Sequence, residues 1–260
     1  MFLSPLKIST TLANIQMKNT LSFIRIFLLS VAVLFTGYAQ ASTSSKKVEF
    51  NQAGFDKYKA TLLKASRATG ESATTLAAYS SIETNLRANV CNTTGSGACG
   101  MTQFMPRTWR GLVKDNHRKY GLSKNVSRSN AYANLVMTAE YIKANRAILK
   151  KALKRDVSPS EVYLAHALGP GNALKVLRAN PGKKITSVIS VHKGNNNLMY
   201  SKGKSLTVAQ FKANMQRKFT AHSSVYRPAV NNYVLNQMPK EEALDHLIAQ
   251  VSTTSGAQSL

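Results

Sequence analysis

Acidic side chains are what this chain is short of: 11 Asp and Glu stand against 35 Lys and Arg in 260 residues, a formal net charge of +24. A chain so basic is drawn to polyanions by long-range attraction whatever its fold, so charge alone names no single partner. Cysteine is almost missing, with only Cys91 and Cys99. There is no Cys-x-x-Cys, no His-Glu-x-x-His and no phosphate-cradling glycine loop, which leaves metal and nucleotide chemistry without support; no metal or cofactor is expected. Long apolar runs are missing as well. The run from Ile26 to Phe35 falls short of the roughly 20 residues that a comfortable membrane span needs. Strand-like alternation and internal repeats are also absent, and what remains reads as one helix after another.

The first part of the chain reads as targeting rather than structure. Met17-Lys18 opens a short basic region that includes Arg25, the apolar run follows, and Ala39-Gln40-Ala41 ends at a small-x-small site before Ser42. That order is a secretory signal, expected over residues 1–41 with a possible upstream start before Met17. Cleavage there removes Lys7, Lys18 and Arg25 and no acid, so +24 becomes +21. No cysteine follows the run, so a lipid anchor is not expected; the expected location is periplasmic or secreted. Outside the cytosol Cys91 and Cys99 can oxidise, free thiols being the alternative. A bridge over so short a loop would contribute about 2–3 kcal/mol.

The helices can be placed by period and caps. Phe55 to Ala68 forms a first one. Pro106 opens another through Trp109, Leu112 and Val113 toward Gly121, which can end it. Asn130 to Lys154 carries an apolar stripe at 132, 135, 136, 139, 142, 148, 149 and 153. Ser158-Pro159-Ser160-Glu161 is a capping box with proline in the first turn. Gly169-Pro170-Gly171 should break that helix, and Asn172 to Arg178 resumes briefly. Val208–Phe219 and Glu241–Val251 look helical, separated by a polar stretch around 220–238, and 252–260 reads as a disordered tail. The expected class is therefore all-α: a catalytic or binding unit over 50–180, then a helical C-terminal extension over 181–251.

One stretch stands out for chemistry. Leu76, Tyr79, Ile82 and Leu86 recur at helical spacing, and Glu83 lies at the edge of that apolar face. A carboxyl lodged among apolar groups loses hydration and keeps its proton to higher pH, as a general acid near neutrality requires. A solvated surface glutamate is the plainer alternative. Further on, Gly97-Ala98-Cys99-Gly100-Met101-Thr102-Gln103-Phe104-Met105-Pro106 makes a small-residue turn into the next helix. The other acids of this part of the chain, Glu71, Asp115, Glu140, Asp156 and Glu161, offer no evident second catalytic carboxylate, Glu140 being the nearest candidate. Such scarcity counts against an ordinary two-carboxylate glycosidase.

Glu83-Thr84, Gly100-Met101-Thr102-Gln103 and Ala165-His166-Ala167 with Leu168-Gly169-Pro170-Gly171 occur in an order and at intervals that resemble the lysozyme-like lytic transglycosylases, over roughly Phe55 to Phe211. The family's Glu-Ser pair, Gly-Leu-Met-Gln turn and Ala-Tyr-Asn segment line one sugar-binding cleft. Here His166 stands for the tyrosine and Ala167 for the asparagine. The resemblance implies that Glu83 protonates the bond between N-acetylmuramic acid and N-acetylglucosamine. It then takes a proton from the C6 hydroxyl as the ring closes to 1,6-anhydromuramic acid. It further implies substrate contacts from Thr84, Met101, Gln103, Tyr141 and His166, each with a plainer alternative as helix-end, core or exposed residue. Trp109 reads as core. The implied partner is the glycan strand of peptidoglycan, with no specific nucleic acid and a monomeric chain; such enzymes serve secretion apparatus, pili or phage. A lysozyme-type hydrolase on the same fold is one rival reading. A non-catalytic basic protein that binds cell wall or nucleic acid is the other.

Overall fold

The computed structural model describes residues 47–93, 95–190 and 198–238. The signal segment, the helix expected at Glu241–Val251 and the tail expected at 252–260 lie outside the described residues.

Helix α1, Gln52–Thr69, starts where the Asn51 side chain accepts from the Gly54 amide and stops at Gly70, whose left-handed backbone lets its N–H reach the Ser66 carbonyl. It is three residues longer at its start than the apolar pattern from Phe55 suggests, because the cap is polar. Helix α2, Ala73–Thr84, follows at once. Its apolar stripe is buried at Leu76, Tyr79 and, just beyond, Leu86, while Ile82 is half-buried. Ala77, Ala78, Ser80 and Ser81 are buried too, so α2 is enclosed on nearly every side rather than on one face. Two left-handed residues in succession, Asn85 (φ 52°) and Leu86 (φ 57°), end it. Their amides return to the carbonyls of Ser81 and Ser80. Left-handed backbone at a leucine costs roughly 1–2 kcal/mol. Here the burial of Leu86, 1% exposed, offsets it.

Pro106 occupies the first turn of α3, Pro106–Asn116. A short 3₁₀ turn, Arg118–Tyr120, then leads to Gly121 (φ 62°), so the α-helix stops earlier than the expected Gly121 and tightens before it. Helix α4, Ala131–Leu153, is capped by the Asn130 side chain. The expected capping box opens α5, Pro159–Leu168, with Ser158 and Glu161 bonding reciprocally. The break after it is narrower than expected. Only Gly169 leaves helical geometry (φ 77°, ψ 150°), and Pro170 already occupies the first turn of α6, Pro170–Arg178.

A two-residue hairpin pairs β1, Tyr200–Ser201, antiparallel with β2, Lys204–Ser205. It leads into α7, Val208–Leu235, which opens on a second capping box, Thr207 and Gln210. The sequence pattern predicts a stop near Phe219; instead the helix runs through the polar stretch and through Pro228. Phe219, Ser223, Tyr226 and Val230 are buried at helical spacing, while Thr220, Ala221, Ser224, Arg227 and Pro228 between them are exposed. The Tyr226 hydroxyl accepts from the Asn51 amide, tying α7 to the start of α1.

The helices share one core in which α2 lies against α1, α4 and α7. Ser81 and His222 exchange a 2.8 Å hydrogen bond between α2 and α7. Tyr79 meets Tyr163 of α5 edge-on, with centroids 5.1 Å apart, and also meets Phe219 of α7. Trp109 is buried as expected, its indole N–H donating to the Val126 carbonyl. Among the described residues, no helix is long and apolar enough to cross a membrane.

Candidate active site

Glu83 is the penultimate residue of α2 and is half-buried. Its Oε1 accepts a hydrogen bond from the Tyr163 hydroxyl on α5 at 2.9 Å. Burial first, then the charge of Glu83 and this hydrogen bond, pushes the Tyr163 hydroxyl well above its ordinary range, so it remains a neutral donor. No Lys or Arg forms an ion pair with Glu83 among the described residues. Glu71, Glu140, Asp156 and Glu161, by contrast, are each ion-paired.

Glu140, the nearest candidate for a second catalytic carboxylate, is taken up by Lys119, Lys143 and the Tyr120 hydroxyl. Burial alone would raise its carboxyl, but the bonds from Tyr120 and Lys119 outweigh that and hold it below the ordinary value. It is therefore kept ionised and unable to lend a proton near neutrality.

The turn at 99–104 is fastened from several sides. Within it, Cys99 and Phe104 exchange two backbone hydrogen bonds of 3.0 Å, and Cys91 and Cys99 are joined by the expected disulfide. Gly100 (φ 89°) lies so close to the Arg128 carbonyl and the Asn134 amide that a Cβ would overlap both. From α4, Asn134 Oδ1 accepts from the amide and hydroxyl of Thr102 at 3.0 and 2.9 Å, and the Thr138 hydroxyl meets the Thr102 hydroxyl at 2.8 Å. Arg128 donates to the carbonyls of Gly97 and Phe104.

Three of the expected substrate contacts belong to this fastening instead. Thr84, 3% exposed, donates its hydroxyl to the Met101 carbonyl at 2.8 Å and accepts from the Arg87 amide at 3.1 Å, so it holds the turn rather than the sugar or the carboxyl of Glu83. His166 turns Nε2 to the Thr102 carbonyl at 3.1 Å, and since a carbonyl only accepts, Nε2 carries the proton. Its Nδ1 is enclosed with no partner among the described residues, and burial lowers its pKa against the opposing pull of Glu83 and of the Thr102 bond. Met101 is 0% exposed and lies in the core, so it is no cleft wall. The common cause is that a tight buried turn presents carbonyls that must find donors, and the nearest helix-borne donors supply them.

Gln103 (φ 54°) is half-exposed, but its amide nitrogen donates to the Val90 and Gly100 carbonyls, both at 2.9 Å, which leaves Oε1 as the group it can offer a ligand. Tyr141 is half-buried and lies edge-on to Phe104 and His166, with its hydroxyl raised by burial. Tyr163, whose hydroxyl donates to Glu83, was legible in sequence only as part of the apolar pattern of its helix. Its signal was indirect: it precedes His166 by three residues on one helical face, and a buried tyrosine hydroxyl needs a partner.

What the arrangement offers is a half-buried carboxyl with no ion pair among the described residues, held by one phenol at the end of a buried helix, beside a turn locked in place by its neighbours. Residues 61–189 match the family model described as the Transglycosylase SLT domain. A solved structure of an inactive mutant of lytic transglycosylase Slt from Pseudomonas aeruginosa resembles the chain at 15% identity. The match covers 67% of this chain and 24% of that one, with a TM-score of 0.44. The chain thus spans about a quarter of that protein's length.

Proposed function

With residues 61–189 forming a transglycosylase SLT domain, we propose that the chain is an exported lytic transglycosylase that cuts peptidoglycan glycan strands with Glu83 as its single proton-transfer group. The observation that carries this reading is the contrast between Glu83, which has a phenol and no cation among the described residues, and Glu71, Glu140 and Glu161, the other carboxylates withdrawn from solvent, which are each ion-paired. Protonated Glu83 donates to the glycosidic oxygen between N-acetylmuramic acid and N-acetylglucosamine, and the leaving sugar departs as an alcohol. The acetamido oxygen of the muramic residue steadies the positive anomeric carbon, in place of a second carboxylate. Glu83, now ionised, takes the proton from the C6 hydroxyl of the same residue, and O6 bonds to C1 to close the 1,6-anhydro ring. The proton given to the leaving sugar is replaced by one from the C6 hydroxyl, so Glu83 ends as it began and water takes no part.

Tyr163 acts through Glu83. Its hydrogen bond fixes Oε1 and steadies the ionised form, and the exchange of the proton falls to Oε2. Proton transfer of this kind contributes about 10²–10⁴-fold, the remainder coming from orientation of the strand. Gln103 Oε1 and Tyr141 are the side chains proposed to meet substrate. Export to the periplasm or beyond rests on the pattern of residues 17–41, and the chain acts as a monomer, open to service with a wall-spanning assembly.

Digestion of purified sacculi tests the reading. Muropeptides ending in anhydromuramic acid, lost on Glu83→Gln, are the expected result. Reducing ends would mean a lysozyme-type hydrolase, and sacculi bound but left intact would mean a non-catalytic wall protein.

A further inference from the structure

The eleven acids of this chain are distributed very unevenly. Residues 162–240 contain twelve Lys and Arg and not one Asp or Glu. Within this stretch the hairpin and the segment beside it bring four lysines to one place. The β1–β2 hairpin turns at Lys202-Gly203. Alongside it Ile185 donates to the Leu206 carbonyl at 2.8 Å, Val208 donates to the Lys183 carbonyl at 2.8 Å, and Lys184 pairs with Thr207. Lys183, Lys184, Lys202 and Lys204 are all exposed, and none is in an ion pair among the described residues.

Three further features mark the cluster as a built surface. Its root is rigid, since Ile185, Met199 and Leu206 are buried in the core. Its tip places a lysine in left-handed backbone (Lys202, φ 49°), where glycine or asparagine is the comfortable choice. Tyr200, 44% exposed, sets an open aromatic ring beside the charges. Four ammonium groups with no carboxylate among them repel one another, and an anionic partner relieves that repulsion.

We propose that Lys183, Lys184, Lys202, Lys204 and Tyr200 form a non-catalytic docking surface for the carboxylate-bearing peptide stems of peptidoglycan. The cluster holds the wall while the glycan is cut, and it rests on the peptidoglycan reading given above. The choice of residue points to this partner. Lysine is a mobile point charge that suits carboxylates scattered on flexible stems, whereas forked recognition of phosphate or bases favours arginine, and the cluster contains none.

The test is co-sedimentation of the full chain with purified sacculi, in a Glu83→Gln background so that the wall is not consumed. Replacing all four lysines by glutamine is expected to weaken binding about tenfold or more. Amidating the wall carboxylates should weaken the unmutated chain to the same degree, with no further loss on adding the four substitutions. Because amidation alters only the ligand, it keeps the test valid if the variant folds poorly. Sacculi stripped of phosphodiester polymers with hydrofluoric acid should bind as before. Undiminished binding by a folded four-lysine variant, indifference to amidation, loss on phosphodiester removal alone, or tighter retention by duplex DNA than by sacculi would each overturn the proposal. Release of anhydro products by the chain with Glu83 intact is read separately. Lysine-dependent binding without digestion would sink the catalytic reading alone, and digestion with lysine-independent binding would sink this one alone.

Discussion

Glu83 and Glu140 are both half-buried, and each accepts a hydrogen bond from a tyrosine, Tyr163 in one case and Tyr120 in the other. They differ in what else is near. Lys119 and Lys143 grip Glu140, while no cation pairs with Glu83 among the described residues. The comparison teaches that partial burial beside a phenol does not make a proton donor. Two ammonium groups beside Glu140 add to the pull of its phenol toward the ionised form, a pull that no ion pair adds at Glu83 among the described residues. Among the described acids Glu49 and Asp115 are also outside the ion pairs, but both are exposed, so Glu83 is the half-buried carboxylate without a cation.

The largest effect expected is on Glu83 itself. Glu83→Gln should lower kcat on sacculi by about 10³-fold or more with little change in melting temperature. Tyr163→Phe keeps the ring that packs on Tyr79 and removes only the hydroxyl. It should cost about 10- to 100-fold in kcat, the worth of a hydrogen bond to a charged group, and move the pH–rate profile while leaving KM nearly unchanged. Tyr120→Phe should do neither. Thr84→Val should cost about 1–2 kcal/mol in denaturant unfolding, because it leaves the Met101 carbonyl and Arg87 amide without a buried partner. Thr84→Ser should restore it. Glu140→Gln should cost about 1 kcal/mol and leave turnover within about threefold, the reverse of the Glu83 result.

The smallest effect expected is on pH dependence. Burial, with Lys218 adding to it, lowers His222 to about 4, whereas the unfolded chain binds that proton near the ordinary value of about 6.5. The unfolded state therefore gains protons first as pH falls, so stability should decline between about 6.5 and 4. His166, also lowered by burial, acts in the same direction. Melting temperatures at pH 7 and pH 5 measure the decline, and His222→Gln should flatten it.

Much of the fold was legible because its signals are local. The Ser158–Glu161 box, the prolines at 106 and 159, and the stripe of α4 each fix a helix without reference to anything distant. The course of helix α7 past Phe219 is hidden in the sequence because its buried face includes Ser223 as well as Tyr226 and Val230, so polarity masks the period. Glu83 could be singled out because its position depends on one helix. The duties of Thr84 and His166 could not be read, since they depend on which carbonyls of a turn 17 and 64 residues further along or back lie within reach. The bond from Tyr163 to Glu83 spans 80 residues and was hidden for the same reason.

The central claim is that Glu83 gives up one proton and takes another from the sugar's own C6 hydroxyl, which, in place of water, closes the reaction. Digestion of sacculi in water enriched in oxygen-18 tests this most directly. The account predicts anhydromuramic products of unshifted mass. Products heavier by one oxygen-18 at the anomeric carbon would contradict it.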